Sequence, residues 1–121
     1  MDDAAAIVGT WGIVKAELNG EEMPAMAMEK MEVELGDGTY AVRFGGEEPA
    51  DRGTFRLGAA SELKTLLLSS VEGTNAGRTI PAIYQLAGNR LRVCYGLDGN
   101  SPDAFCTTPG ANRYLVTYRR K

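Results

Sequence analysis

The chain has 121 residues, 44% of them hydrophobic and 24% charged, with a formal net charge of −3 and no histidine. That size and balance fit one globular domain with a modest core and exclude a disordered chain. The charges are interspersed, with a basic cluster only at Arg119-Arg120-Lys121, so there is no face to neutralise nucleic-acid phosphates.

The missing histidine removes the commonest general base near neutral pH, the commonest transition-metal ligand and histidine-ligated haem. Two cysteines alone make no structural zinc site, so no cofactor is expected. No apolar run approaches the roughly 20 residues of a membrane span. The start, Met1-Asp2-Asp3-Ala4-Ala5-Ala6, is acidic and lacks the apolar segment of a signal peptide. As written the chain is expected in the cytoplasm; a mature exported chain to which Met1 had been added would look the same.

Gly9 to Leu18 reads as a strand, ended by the turn dipeptide Asn19-Gly20. Strict alternation puts Trp11 and Ile13 on one face with Lys15 and Glu17. Either a bulge flips the second half of the strand or two charges point into the core. The rarity of buried charge favours the bulge, or charges at an open rim. Glu21 to Lys30 is the one predicted helix, with Pro24 at a first helical position and helix formers from Ala25 to Lys30. Two turns cannot stand alone. The segment should lie across one end of the molecule, where Met23, Met26 and Met28 form either a plug, the preferred reading, or a pliable lid.

A meander follows. Met31, Val33 and Leu35 alternate with Glu32 and Glu34; Gly36-Asp37-Gly38 turns; Tyr40, Val42 and Phe44 alternate with Thr39, Ala41 and Arg43. After the turn Gly45 to Pro49, Phe55 and Leu57 continue the apolar face. Leu63 to Val71 is a strand whose face is ambiguous, because Leu66, Leu67 and Leu68 run together. Thr79 to Leu86 places Ile80, Ala82, Tyr84 and Leu86 on one face, with Pro81 expected at a bulge, a strand start or an edge. Leu91, Val93 and Tyr95 alternate in the next strand.

Leu97 to Asn112 is irregular, with Ala104 to Thr107 as a short returning strand. A hairpin centred on Asn100 sets Tyr95 opposite Phe105 and Cys94 opposite Cys106. The cysteines then form a cross-strand bridge in an oxidising compartment or remain two thiols in a reducing one. The last strand, Arg113 to Arg120, carries Tyr114, Val116, Tyr118 and Arg120 on one face. The whole chain, residues 1–121, thus reads as a single all-β domain: an eight-stranded, up-and-down antiparallel barrel with one short helix after strand 1.

Gly9-Thr10-Trp11 at the head of the first strand, with arginines at the end of the last, resembles the lipocalin signature. The resemblance implies that Trp11 closes one end of the barrel and that Arg119 or Arg120 packs over it. Gly53-Thr54-Phe55, Ile83-Tyr84-Gln85-Leu86 and Leu91-Arg92-Val93-Cys94 extend the likeness to short bacterial lipocalin-like (calycin-like) domains of the planctomycete type, which share no catalytic set. The chain is shorter than true lipocalins and lacks their Thr-Asp-Tyr motif, which argues against transport of a large ligand.

A barrel of this size is filled by side chains or holds one small ligand. The leading expectation is a non-enzymatic module holding a small apolar or amphipathic ligand, lined by Tyr40, Val42, Phe44, Phe55, Leu57, Tyr84, Tyr95, Tyr114 and Tyr118, whose phenols fix orientation. The alternative is a filled barrel whose outer surface binds a protein. Catalysis would rest on Lys15 with Glu17 or Arg120 with Tyr118, pairs more commonly found as rim charges. Asp98, Asp103, Glu47 and Glu48 match no calcium-loop spacing.

Overall fold

Alternation of apolar and polar residues carries most of the chain into strands. The computed structural model describes residues 3–24, 31–44, 51–60, 63–73, 76–102, 104–105, 107 and 112–121. A four-residue helix, α1 (Asp3–Ala6), leads into β1 (Gly9–Leu18). Then come β2 (Glu21–Glu22), β3 (Met31–Leu35), β4 (Thr39–Phe44), β5 (Asp51–Ala60), β6 (Leu63–Gly73), β7 (Thr79–Ala87), β8 (Arg90–Gly96) and β9 (Arg113–Arg120). All pairings are antiparallel, and β9 returns to pair with β1, so β1 and β3 to β9 close an eight-stranded barrel. One edge of β1 is shared, by β3 along Gly9 to Gly12 and by β2 at Glu17 and Leu18. Among the described residues no helix is long and apolar enough to cross a membrane.

Among the described residues no helix follows β1, which corrects the expectation of one over Glu21 to Lys30. Asn19 (φ 50°) and Gly20 (φ 88°) form a left-handed two-residue turn, the geometry that matches hairpin twist. Glu21 and Glu22 therefore pair straight back on β1, and the Met23 amide donates to the Ala16 carbonyl at 2.9 Å. At Glu21 and Glu22 the local turn signal outranks the expected helix. Residues 25–30, with Met26 and Met28, lie outside the described residues. The unforeseen α1 sits at the other end of the barrel.

Two bulges set the faces. On β1 the register with β9 slips between Ile13 and Lys15, leaving Val14 unmatched. Trp11 and Ile13 thus face inward, Val14 and Lys15 outward, and Ala16 inward again, fully buried. Lys15 and Glu17 lie on the outer surface, where Lys15 Nζ is 3.6 Å from Glu17 and 3.3 Å from Glu22. On β6 the slip falls at Val71, between the pairs Arg52–Glu72 and Gly53–Ser70. It turns Ser70 inward and leaves Val71 64% exposed. Within β6 the leucine run resolves into Leu66 and Leu68 inward and Leu67 outward. Pro81 lies within β7, opposite Leu67.

Cross-strand pairing corrects the expected hairpin after β8. Tyr95 faces Tyr114 and Cys94 faces Leu115, because β9 is the neighbour of β8 along its length. Ala104 and Phe105 are bends, and Phe105 lies over the Arg92 guanidinium, 4.5 Å from carbon to ring centroid. Thr107 Oγ accepts the Gly20 amide at 2.9 Å. Phe105 and Thr107 therefore lie on the outer face of the barrel, and on that face Ile83 and Cys94 are 1% and 0% exposed despite pointing outward. The proposed Cys94–Cys106 pairing involves Cys106, which lies outside the described residues.

Candidate functional site

The helix α1 seals one end of the barrel. Trp11 is fully buried and its indole N–H donates to the Ile7 carbonyl at 2.9 Å. The Arg120 guanidinium lies 4.3 Å from the Trp11 ring centroid and donates to the carbonyls of Val8 (2.8 Å) and Ala6 (2.5 Å). Its Nε reaches Asn89 Oδ1 at 3.3 Å. A planar fork can stack on an aromatic face and satisfy carbonyls in the same plane. Arg119 instead pairs in the ladder with Gly12 and Arg90, its side chain exposed. Asp3 of α1 accepts Lys64 Nζ at 2.7 Å and the Tyr84 hydroxyl at 2.9 Å. Those two hydrogen bonds hold the Asp3 carboxyl below its ordinary range. Burial, followed by the Asp3 carboxylate, pushes the Tyr84 phenol up.

Above this floor the barrel is hollow. A cavity of about 270 Å³ is bounded below by Trp11 and along the walls by Val33, Leu35, Leu66, Leu91 and Val93. Met31, Leu68, Ile80, Leu97 and Tyr114 bound it further up. Its polar features are few. The Tyr95 and Tyr118 hydroxyls lie 2.8 Å apart, and the Tyr95 and Tyr114 rings stack with centroids at 5.7 Å. Burial drives the Tyr95, Tyr114 and Tyr118 phenols upward, so all three stay neutral at physiological pH. Only one proton can lie between two hydroxyls, so the Tyr95–Tyr118 pair keeps one O–H to offer.

The second polar feature is Asp51, whose Oδ1 accepts the buried Ser70 hydroxyl at 2.7 Å. Ser70 is also a hydrogen-bond partner of Tyr40, whose phenol is raised by burial and pulled back in part by that bond. The bulge at Val71 builds this corner. It turns Ser70 inward opposite Gly53, which has no side chain to keep the two strands apart.

Of the side chains expected inside, Tyr40, Val42, Tyr95, Tyr114 and Tyr118 line the cavity. Phe55 and Leu57 pack against the core cluster without lining the cavity, and Tyr84 turns its hydroxyl to Asp3 at the sealed end. Phe44 pairs with Met31 in the ladder, and its side chain lies outside the described residues. Trp11, expected as a closure, is also the cavity floor. Asp51 was not foreseen, because its surroundings read as a turn; its phase with Phe55 and Leu57, four and six positions on, was the available signal. Among the described residues no three His, Cys, Asp or Glu side chains converge as a metal site would need. No protein-family model, curated protein or solved structure matches the chain.

Proposed function

We propose that the chain is a non-enzymatic, lipocalin-like barrel that holds one small apolar or amphipathic ligand in its interior. The observation that carries this reading is the cavity of about 270 Å³, walled by aliphatic side chains and tyrosines. A cavity of roughly 150 Å³ lined by apolar groups already accepts benzene, and drug-sized molecules need roughly 300 Å³ or more. The ligand is therefore about the size of one ring with a short chain. The membership in short lipocalin-like domains is supported by Gly9-Thr10-Trp11 at the head of β1 and by Arg120 over the indole.

The two acid–base pairs offered by the sequence have other tasks. Lys15 is ion-paired on the outer surface, and Arg120 is bound to the carbonyls of the closing segment. An apolar fluorescent probe titrated into the protein should bind with one-to-one stoichiometry, and an apolar ligand of benzene size should displace it. Absence of saturable binding overturns the reading and leaves the outer surface as the working part of the molecule.

A further inference from the structure

We propose that the Tyr95–Tyr118 hydroxyl pair is the polar anchor of the cavity and selects a small neutral carbonyl compound, a ketone or an ester, whose oxygen accepts the spare O–H of the pair. This rests on the reading of the barrel as a ligand-holding module and adds the chemical class of the ligand.

The register of two strands builds the pair. Tyr95 on β8 is paired with Tyr114, and Tyr118 on β9 with Leu91, so the two phenols start at different heights on neighbouring strands. Their hydroxyls meet at 2.8 Å, and both side chains line the cavity. Tyr118 is 4% exposed. Each hydroxyl carries one proton and the contact between them uses one, so the other has no acceptor among the described residues. A hydroxyl that accepts a bond from its neighbour is polarised by it and becomes the better donor. Burial keeps both phenols neutral, so that proton stays in place. The other polar corner has none to spare: Ser70 donates to Asp51, so in the bond between Ser70 and Tyr40 it is Tyr40 that donates.

An unpaired O–H in an apolar space costs free energy, and an acceptor on the ligand removes that cost. A hydrocarbon leaves the cost in place. A carboxylate would accept the same bond, but among the described residues no lysine or arginine lines the cavity to balance its charge. A neutral carbonyl needs no counter-ion and brings no donor that must itself be satisfied. With its oxygen held at the β8–β9 wall, its apolar body faces Trp11 below and Val42 of β4 across the barrel.

The test compares acetophenone with α-methylstyrene, which has the same shape with a methylene group in place of the carbonyl oxygen. Either single phenylalanine variant keeps one O–H to donate, so the variant needed is the double one, Tyr95→Phe with Tyr118→Phe. The two ligands differ in hydration, so the measured quantity is the ratio of their affinities, from displacement of the apolar fluorescent probe. In the double variant that ratio should move about tenfold against acetophenone, as the loss of one hydrogen bond allows. A ratio that does not move overturns the proposal.

Acetophenone isotope-labelled at its carbonyl carbon reports the bond directly by NMR. Bound to the unaltered protein, that carbon should resonate downfield of its position in cyclohexane, and in the double variant it should return toward that position. A cyclohexane-like position in the unaltered protein overturns the proposal, as does a downfield position that survives in the double variant. If the double variant does not fold, the unaltered protein decides. A downfield carbonyl with nuclear Overhauser contacts from the acetophenone methyl group to the Tyr95 and Tyr118 rings supports the proposal, and contacts confined to other residues overturn it. Binding of the probe and of α-methylstyrene without binding of acetophenone defeats this inference alone. If neither the probe nor either ligand binds, the ligand-holding reading falls and this inference falls with it.

Discussion

The Arg120 guanidinium combines a cation–π contact with hydrogen bonds to Ala6, Val8 and Asn89, so one side chain ties β9 to the segment that closes the barrel. Lysine keeps the charge but not the planar fork, so Arg120→Lys should destabilise the protein by about 2 kcal/mol in urea unfolding. Arg119→Lys, on an exposed position next to it, should change stability by no more than about 0.5 kcal/mol. Gly53 is constrained in another way. A Cβ placed there would stand 2.1 Å from the Ser69 carbonyl oxygen and 2.9 Å from the Ser70 Cα, both of them backbone. Backbone cannot rotate aside as a side chain can, so Gly53→Ala should cost about 2 kcal/mol or more and loosen the Asp51–Ser70 corner. Probe affinity should then fall together with the urea midpoint.

At the scale of the element, the bulge at Val14 decides which half of β1 faces the core. The Val14 side chain is 50% exposed and contributes little packing, so Val14→Thr should be nearly neutral. Deleting Val14 is a different change. It removes the unmatched residue and lets the pairs Ile13–Tyr118, Lys15–Thr117 and Ala16–Val116 run on without a slip, with Lys15 and Glu17 still outward and Ala16 still buried. Thermal unfolding should therefore stay cooperative in the deletion variant as in Val14→Thr, and a deletion variant that unfolds without cooperativity would contradict this register. This bulge was legible because charge at an inward position is costly enough to be read as a contradiction. The meander of β3 and β4 was legible for the simpler reason that Met31, Val33, Leu35, Tyr40 and Val42 alternate cleanly. The leucine run of β6 was not, since apolar residues at consecutive positions carry no phase. The same holds for Ile83 and Cys94, which face outward yet are buried. Burial on the outer face depends on what lies over it, and alternation within a strand carries no sign of that. Asp51 was missed because a polar residue beside Pro49 and Gly53 reads as a turn, and only the register of β5 with β4 and β6 turns it inward.

The whole molecule has a pH signature that comes from its tyrosines. All five tyrosines have phenols held above the ordinary value, with burial as the largest cause in each case. Below about pH 10 a phenol is neutral in both the folded and the unfolded chain, so the stabilising contribution is complete. As pH rises past about 10 the unfolded phenols ionise while the buried ones stay neutral, and stability falls with each further unit. For Tyr84, Tyr95 and Tyr118, the most strongly shifted, the loss together is on the order of 4 kcal/mol per pH unit. A domain of ordinary stability, about 5–15 kcal/mol, would be exhausted within a few units above pH 10. Tyrosinate absorbance should therefore stay low past pH 10 and then rise together with the loss of circular dichroism, as one cooperative transition. A gradual rise near pH 10 in a protein that keeps its dichroism would contradict the buried placement of these rings. Tyr95→Phe tests the link further. It removes one group that the unfolded chain ionises, and it also removes the hydroxyl that meets Tyr118. The transition should become shallower in pH even if the variant is less stable at neutrality, because slope counts protons and midpoint counts free energy. A ligand seated against Tyr95 and Tyr118 should move the midpoint up without changing that slope, provided its own protonation is constant through the transition. Its alkaline shift thus gives a measure of cavity occupancy that does not depend on displacing a probe.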